Sequence, residues 1–107
     1  MNAEKIRALN DRFRTTMTAG RVLVTAGVNA LPSDVKAMVI RRVAIFSEFT
    51  ADNDPHEEHD FGNFELAGRK FFFKIEYYDA KMEFGSEDPA DPSKTTRVLT
   101  IMLAEEY

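Results

Sequence analysis

Phe61-Gly62-Asn63-Phe64-Glu65-Leu66 and Lys70-Phe71-Phe72-Phe73-Lys74-Ile75-Glu76-Tyr77-Tyr78 flank Ala67-Gly68-Arg69, and the reading of this stretch decides the fold. Aromatic and β-branched residues on both sides of a glycine turn predict a β-hairpin. In its second strand, side chains alternate between two faces. Phe71, Phe73, Ile75 and Tyr77 share one face and read as core, while Phe72, Lys74, Glu76 and Tyr78 share a half-polar one. Two uses fit that second face: the anchor of a dimer or partner interface, or a second core layer beneath the helices. The second is preferred, because amphipathic helices must bury their stripes somewhere.

Downstream, Gly85–Ser93 holds two prolines, one glycine and three acids, and reads as a loop. Thr96–Ala104 is apolar on both faces, as a central strand requires. Upstream, Ile6, Leu9, Phe13 and Met17 form one apolar stripe of a helix from Ala3 to about Met17, with Gly20 placed to end it. Arg21–Thr25 reads as a short strand broken by Gly27. Pro32-Ser33-Asp34 opens a second helix with Val35, Met38 and Val39 on one face. Val43, Ile45, Phe46 and Phe49 either continue it or begin a strand through Thr50, and a helix to about Arg42 with an extended segment after it is the favoured reading. The expected fold is α+β: one or two N-terminal helices on a mostly antiparallel four- to five-stranded sheet, in a single domain over residues 1–107.

At 107 residues, 44% hydrophobic and 30% charged, the chain can bury a core and is not of disordered composition. It has no cysteine, which excludes disulfides, thiolate zinc sites and a cysteine nucleophile. No apolar run is long enough for a membrane span, and no leader-like segment opens the chain. A cytoplasmic protein is therefore expected. Net charge is −4, divided unevenly: residues 1–50 carry eight Lys/Arg against four Asp/Glu, and residues 51–107 carry six against fourteen. The acidic balance argues against direct nucleic-acid binding.

The acids concentrate in Asp52-Asn53-Asp54-Pro55-His56-Glu57-Glu58-His59-Asp60, which holds both histidines and five carboxylates. A metal site would use His56, His59 and Asp60, with Asp54 and Glu58 available. The spacing matches neither a zinc-protease helix nor an EF-hand. As a purely local feature, Asp54-Pro55-His56-Glu57 reads as a capping box for one helical turn. Glu58-His59-Asp60 has the makings of an acid-oriented general base, yet no nucleophile elbow or phosphate loop accompanies it. A binding reading takes both acidic loops together. A hairpin returns the chain, so its outer ends should be adjacent. Asp52, Asp54, Glu57, Glu58, Asp60, Glu83, Glu87, Asp88 and Asp91 would then face a basic partner.

Four blocks carry a resemblance: Asn53-Asp54-Pro55 with Glu58-His59-Asp60-Phe61-Gly62; Lys74-Ile75-Glu76-Tyr77-Tyr78-Asp79; Arg97 through Tyr107; and the opening Leu9-Asn10-Asp11-Arg12-Phe13-Arg14. Together they resemble domain-of-unknown-function family 3768 over nearly the whole chain. That family comprises small uncharacterised proteins of proteobacterial plasmids, prophages and integrating elements. It carries no activity that transfers to a residue here. What the resemblance implies is context, since small proteins of mobile elements often antagonise host defence. The leading expectation is a non-enzymatic, cofactor-free protein binder whose acidic surface engages a basic nucleic-acid-handling protein, with a homodimer compatible. The rival is a metal-dependent hydrolase or nuclease centred on His56, His59 and Asp60.

Overall fold

In the computed structural model, which describes residues 2–107, helix α1 (Ala3–Thr16) leads into strand β1 (Arg21–Val24), a helical turn α2 (Ala26–Asn29) and helix α3 (Ser33–Ile45). Strands β2 (Phe61–Leu66), β3 (Arg69–Tyr78) and β4 (Thr96–Leu103) follow, and a 3-10 turn over Ala104–Glu106 comes after them. The four strands lie in the order β1-β4-β3-β2; β1 runs parallel to β4, and the other pairs are antiparallel. The architecture is α+β, as the alternating and helical patterns anticipated. Leu66 pairs with Arg69, so the hairpin turns on Ala67 and Gly68 alone. Both have positive φ (54° and 77°), the geometry that matches strand twist in a two-residue turn.

Register explains the core. Phe71 pairs with Leu103, Phe73 with Ile101 and Ile75 with Leu99, so six apolar side chains form one layer on one face. Phe13 of α1, Val28 of α2 and Val39 and Val43 of α3 close over that layer and are buried. Each such side chain contributes about 1.5–3 kcal/mol through its burial. β4 lies between β1 and β3, which is why its sequence is apolar on both faces.

Several expectations are corrected. Helix α3 runs to Ile45 rather than Arg42, and no strand forms through Thr50. The cause lies in α1: one nitrogen of the Arg14 guanidinium donates to the carbonyls of Val43, Ala44 and Phe46. A cation here satisfies carbonyls that a helix end leaves open and complements its dipole. Helix α1 ends at Met17 in the left-handed region (φ 56°), before Gly20. Gly20 serves a different purpose: a Cβ there would lie 2.7 Å from the Arg97 carbonyl and 2.8 Å from the Phe13 ring. Gly27 does not interrupt structure but sits within α2, whose first turn is capped by the Thr25 hydroxyl. The largest correction concerns the face of Phe72, Lys74, Glu76 and Tyr78. It is not a second core layer, because the helices bury their stripes against the Phe71–Ile75 face.

Candidate functional site

The segment from Phe46 to Asp60 crosses the end of the sheet where β3 finishes, and the Ile75 amide donates to the Asp60 carbonyl. Phe46 and Phe49 anchor it. Phe46 meets Phe73 edge to face at 5.2 Å, and Phe49 meets Phe46 at 4.9 Å. The His59 ring lies flat on Phe49, centroids 3.9 Å apart with 4° between planes. Asp11 of α1 holds that histidine by Nδ1 at 2.8 Å and also takes a hydrogen bond from Arg14 at 3.0 Å. On the other edge of the ring, Nε2 faces Asp54 Oδ2 at 3.6 Å.

Asp54 is buried, and its Oδ1 accepts the backbone N–H groups of Glu58 and His59. This replaces the expected capping box. No helical turn forms, because Glu57 and His59 both adopt the left-handed region, with φ of 57° and 56°. Such conformations cost of order 1–3 kcal/mol each in non-glycine residues and persist only where surrounding bonds impose them. The Asp54 carboxylate supplies those bonds, and the Arg7 guanidinium adds another by donating to the Glu57 carbonyl.

A second network ties this loop to the Gly85–Ser93 loop. Asn10, fully buried on α1, donates through Nδ2 to the Glu58 carbonyl and to the Tyr77 hydroxyl, and its Oδ1 accepts from Arg97 Nε. Tyr77 donates in turn to Glu58 Oε1, and Arg97 donates to the Pro89 carbonyl. Burial pushes the Tyr77 phenol far above its usual pKa, and burial lowers that of Arg97. Asp60, half-buried, is held above the usual carboxylate range by burial first and then by the neighbouring Glu58 charge. Asp79 and Asp91 lie below that range. The main cause at Asp79 is the Glu83 amide, and at Asp91 the Ser93 hydroxyl and amide, with the Lys5 charge contributing.

The two acidic loops are thus joined through Glu58, Asn10, Arg97 and Pro89, but their carboxylates have different surroundings. Asp52, Glu57, Glu83 and Glu87 are exposed, Asp60, Asp88 and Asp91 are half-buried, and Asp54 and Glu58 are committed to internal bonds. The basic half meets the acidic half here, through Arg7 and Lys5. His56 is exposed, while His59 lines a cleft of about 410 Å³ with Arg7, Phe49, Thr50, Asp54 and Glu57. Among the described residues, no group of three His, Asp or Glu side chains is arranged to hold a metal ion, and no helix is long and apolar enough to cross a membrane.

Sequence reasoning missed Asn10, Asp11, Arg14, Phe49 and Arg97 as parts of this site. Two had left a signal. Asn10 stands four residues after Ile6 and three before Phe13, a polar residue on an apolar stripe, and Arg97 falls on the same strand face as Leu99, Ile101 and Leu103. Buried polar groups at such positions need partners, and these two bond to each other as well as to Glu58, Tyr77 and Pro89.

No curated protein and no solved structure matches the chain. Residues 24–106 match the family described as Protein of unknown function (DUF3768), and the chain belongs to that family.

Proposed function

We propose that the protein is a non-enzymatic binding protein whose acidic end engages a basic, nucleic-acid-handling protein. The observation that carries this reading is the rigid support beneath the exposed acids. The Asn10–Glu58–Tyr77–Arg97 network holds two acidic loops at one end of the sheet. Asp52, Glu57, Glu83 and Glu87 extend from those loops into solvent. Carboxylates on a preorganised surface speed encounter with a cationic groove and compete there with phosphate. The resemblance to small proteins of mobile elements supports a counter-defence role, of anti-CRISPR or anti-restriction type, exercised in the cytoplasm.

The test is affinity capture from a host lysate, with the partner identified by mass spectrometry. Its control is a variant carrying Asp52→Asn, Glu57→Gln, Glu83→Gln and Glu87→Gln. These four are chosen because, among the described residues, none of their side chains makes a hydrogen bond or ion pair, whereas neutralising Asp54 or Glu58 would disturb the fold. The expected result is one basic partner, captured by the parent, lost in the variant and released by salt. Equal capture by both proteins sinks the reading.

A second reading rests on one observation: His59 is oriented by Asp11 at 2.8 Å and lines a cleft. An oriented imidazole of this kind suits a general base in a hydrolase. His59→Gln separates the two readings. It abolishes hydrolysis in the enzyme reading and leaves capture intact in the binding reading, provided the variant folds.

A further inference from the structure

We propose that the helix-free face of the sheet is the contact surface of a homodimer, a second copy of the chain stacking face to face upon it. No helix covers this face. Phe72, Lys74, Glu76 and Tyr78 are half-buried there, Val98 and Met102 beside them on β4 are buried within the chain, and the margins are apolar and exposed. Leu23 is 51% exposed and Tyr107 72% exposed, and Phe61, Phe72 and Tyr107 form an aromatic group with centroids 5.2–5.9 Å apart. Aromatic residues flanked by polar ones are the usual anchors of an interface.

The choice of occupant comes from charge and register. Lys74 and Glu76 stand side by side at the middle of the face, 3.6 Å apart. A twofold axis lying between the two copies, perpendicular to β3 and crossing it at Ile75, exchanges their positions. Lys74 of one copy then meets Glu76 of the other, and Phe72 meets Tyr78. On β4, Val98 and Met102 are buried within the chain, so the contact is carried by β3 and by the exposed margins of the face. The same operation sends the acidic ends of the two copies in opposite directions, so a protein of net charge −4 avoids its strongest self-repulsion. A surface that carries both signs about one point is complementary to itself, as an isologous contact requires.

Area sets the expected strength. Four strands spaced about 4.8 Å apart and about 23 Å long present roughly 440 Å² per copy. The total of roughly 900 Å² lies just under the usual lower bound for a stable specific interface, so the dimer is weak and in concentration-dependent exchange with monomer. The aromatic residues supply the attraction, and the central charges set the register. This surface lies apart from the acidic end, and a dimer would carry two such ends facing away from each other.

The experiment is sedimentation velocity over a concentration series on the parent, on Lys74→Glu, on Glu76→Lys and on an equimolar mixture of the two variants. Circular dichroism and melting confirm that each is folded. The parent is expected to pass from monomer to dimer. Each variant alone should weaken association at least about tenfold, a change of about 1.4 kcal/mol, because like charges then meet across the twofold axis. The mixture should restore the dimer. A parent that stays monomeric throughout overturns the proposal. So does a dimer indifferent to both substitutions and to Leu23→Arg, and so does a mixture that fails to reassociate.

Discussion

The Tyr77 hydroxyl donates to Glu58 Oε1 at 2.8 Å while accepting from Asn10 at 2.8 Å, so one phenol on β3 fixes both α1 and the acidic loop. A half-buried carboxylate with a directed donor stays ordered, and an unpaired one draws in water or moves. Tyr77→Phe keeps the ring under Arg97, whose guanidinium lies 5.3 Å from its centroid, and removes only the hydroxyl. The expected loss is about 1–3 kcal/mol in urea denaturation, with faster amide exchange over residues 54–60.

Asp60 gives a stability that depends on pH in a stated direction. Its pKa in the folded chain is above the ordinary 3.8, so the ionised form is penalised by folding. The penalty is absent below pH 3.8, grows as pH rises through the folded value, and is complete at neutrality. Asp60→Asn should therefore raise the urea midpoint at pH 7 and change it little at pH 3. A variant less stable at pH 7 would show that this carboxylate is needed for folding.

Glu106 should show the opposite slope. Its carboxylate accepts from the Thr25 hydroxyl and from the amides of Gly27 and Leu103, and these bonds hold its pKa below the ordinary 4.5. Its contribution is present above pH 4.5 and is lost as pH falls through the lower folded value. Glu106→Gln should lower the melting temperature at pH 7 and converge with the parent under acid. The comparison is a pair of melting curves across pH 2–7.

Asp54 and Asp52 are two residues apart and should respond differently to removal. Asp54→Ala deprives two backbone N–H groups of their acceptor and releases the left-handed turn at Glu57 and His59, a loss of about 1–3 kcal/mol. Asp52→Ala removes an exposed carboxylate and should stay within about 0.5 kcal/mol of the parent. Urea midpoints read both. If the binding reading holds, partner affinity falls in each, through loop disorder in one and lost charge in the other.

Gly62 tests the packing of the loop against the sheet. A Cβ there would enter the Phe73 ring and lie 2.8 Å from the Phe46 ring. Both rings are buried and edge-on to each other, so neither has free space to turn into. Gly62→Ala should cost about 1–3 kcal/mol by overpacking, measured as a lower urea midpoint with an unchanged slope.

The amino-acid sequence alone determined the two-faced alternation of Phe71–Tyr78, the hairpin turned over Ala67-Gly68-Arg69, the stripe of α1 and the central place of β4, while the structure narrowed that turn to Ala67 and Gly68. Each depends on local periodicity or on one turn residue, and local patterns survive without knowledge of distant partners. The concentration of acids in two loops was legible as well. What only the tertiary structure decided depends on residues far apart in the chain. Asp54 and Asp52 look alike in the sequence, and only the fold buries one and exposes the other. The end of α3 is set by Arg14, about thirty residues upstream, and the left-handed turn in the acidic loop has no glycine or asparagine to announce it. That no helix packs on one face of β3 could not be read from its own strand. Whether a half-polar face is covered is set by where the helices settle, and both strand faces offered them apolar side chains. Phe13, Val39 and Val43 settled on the richer one.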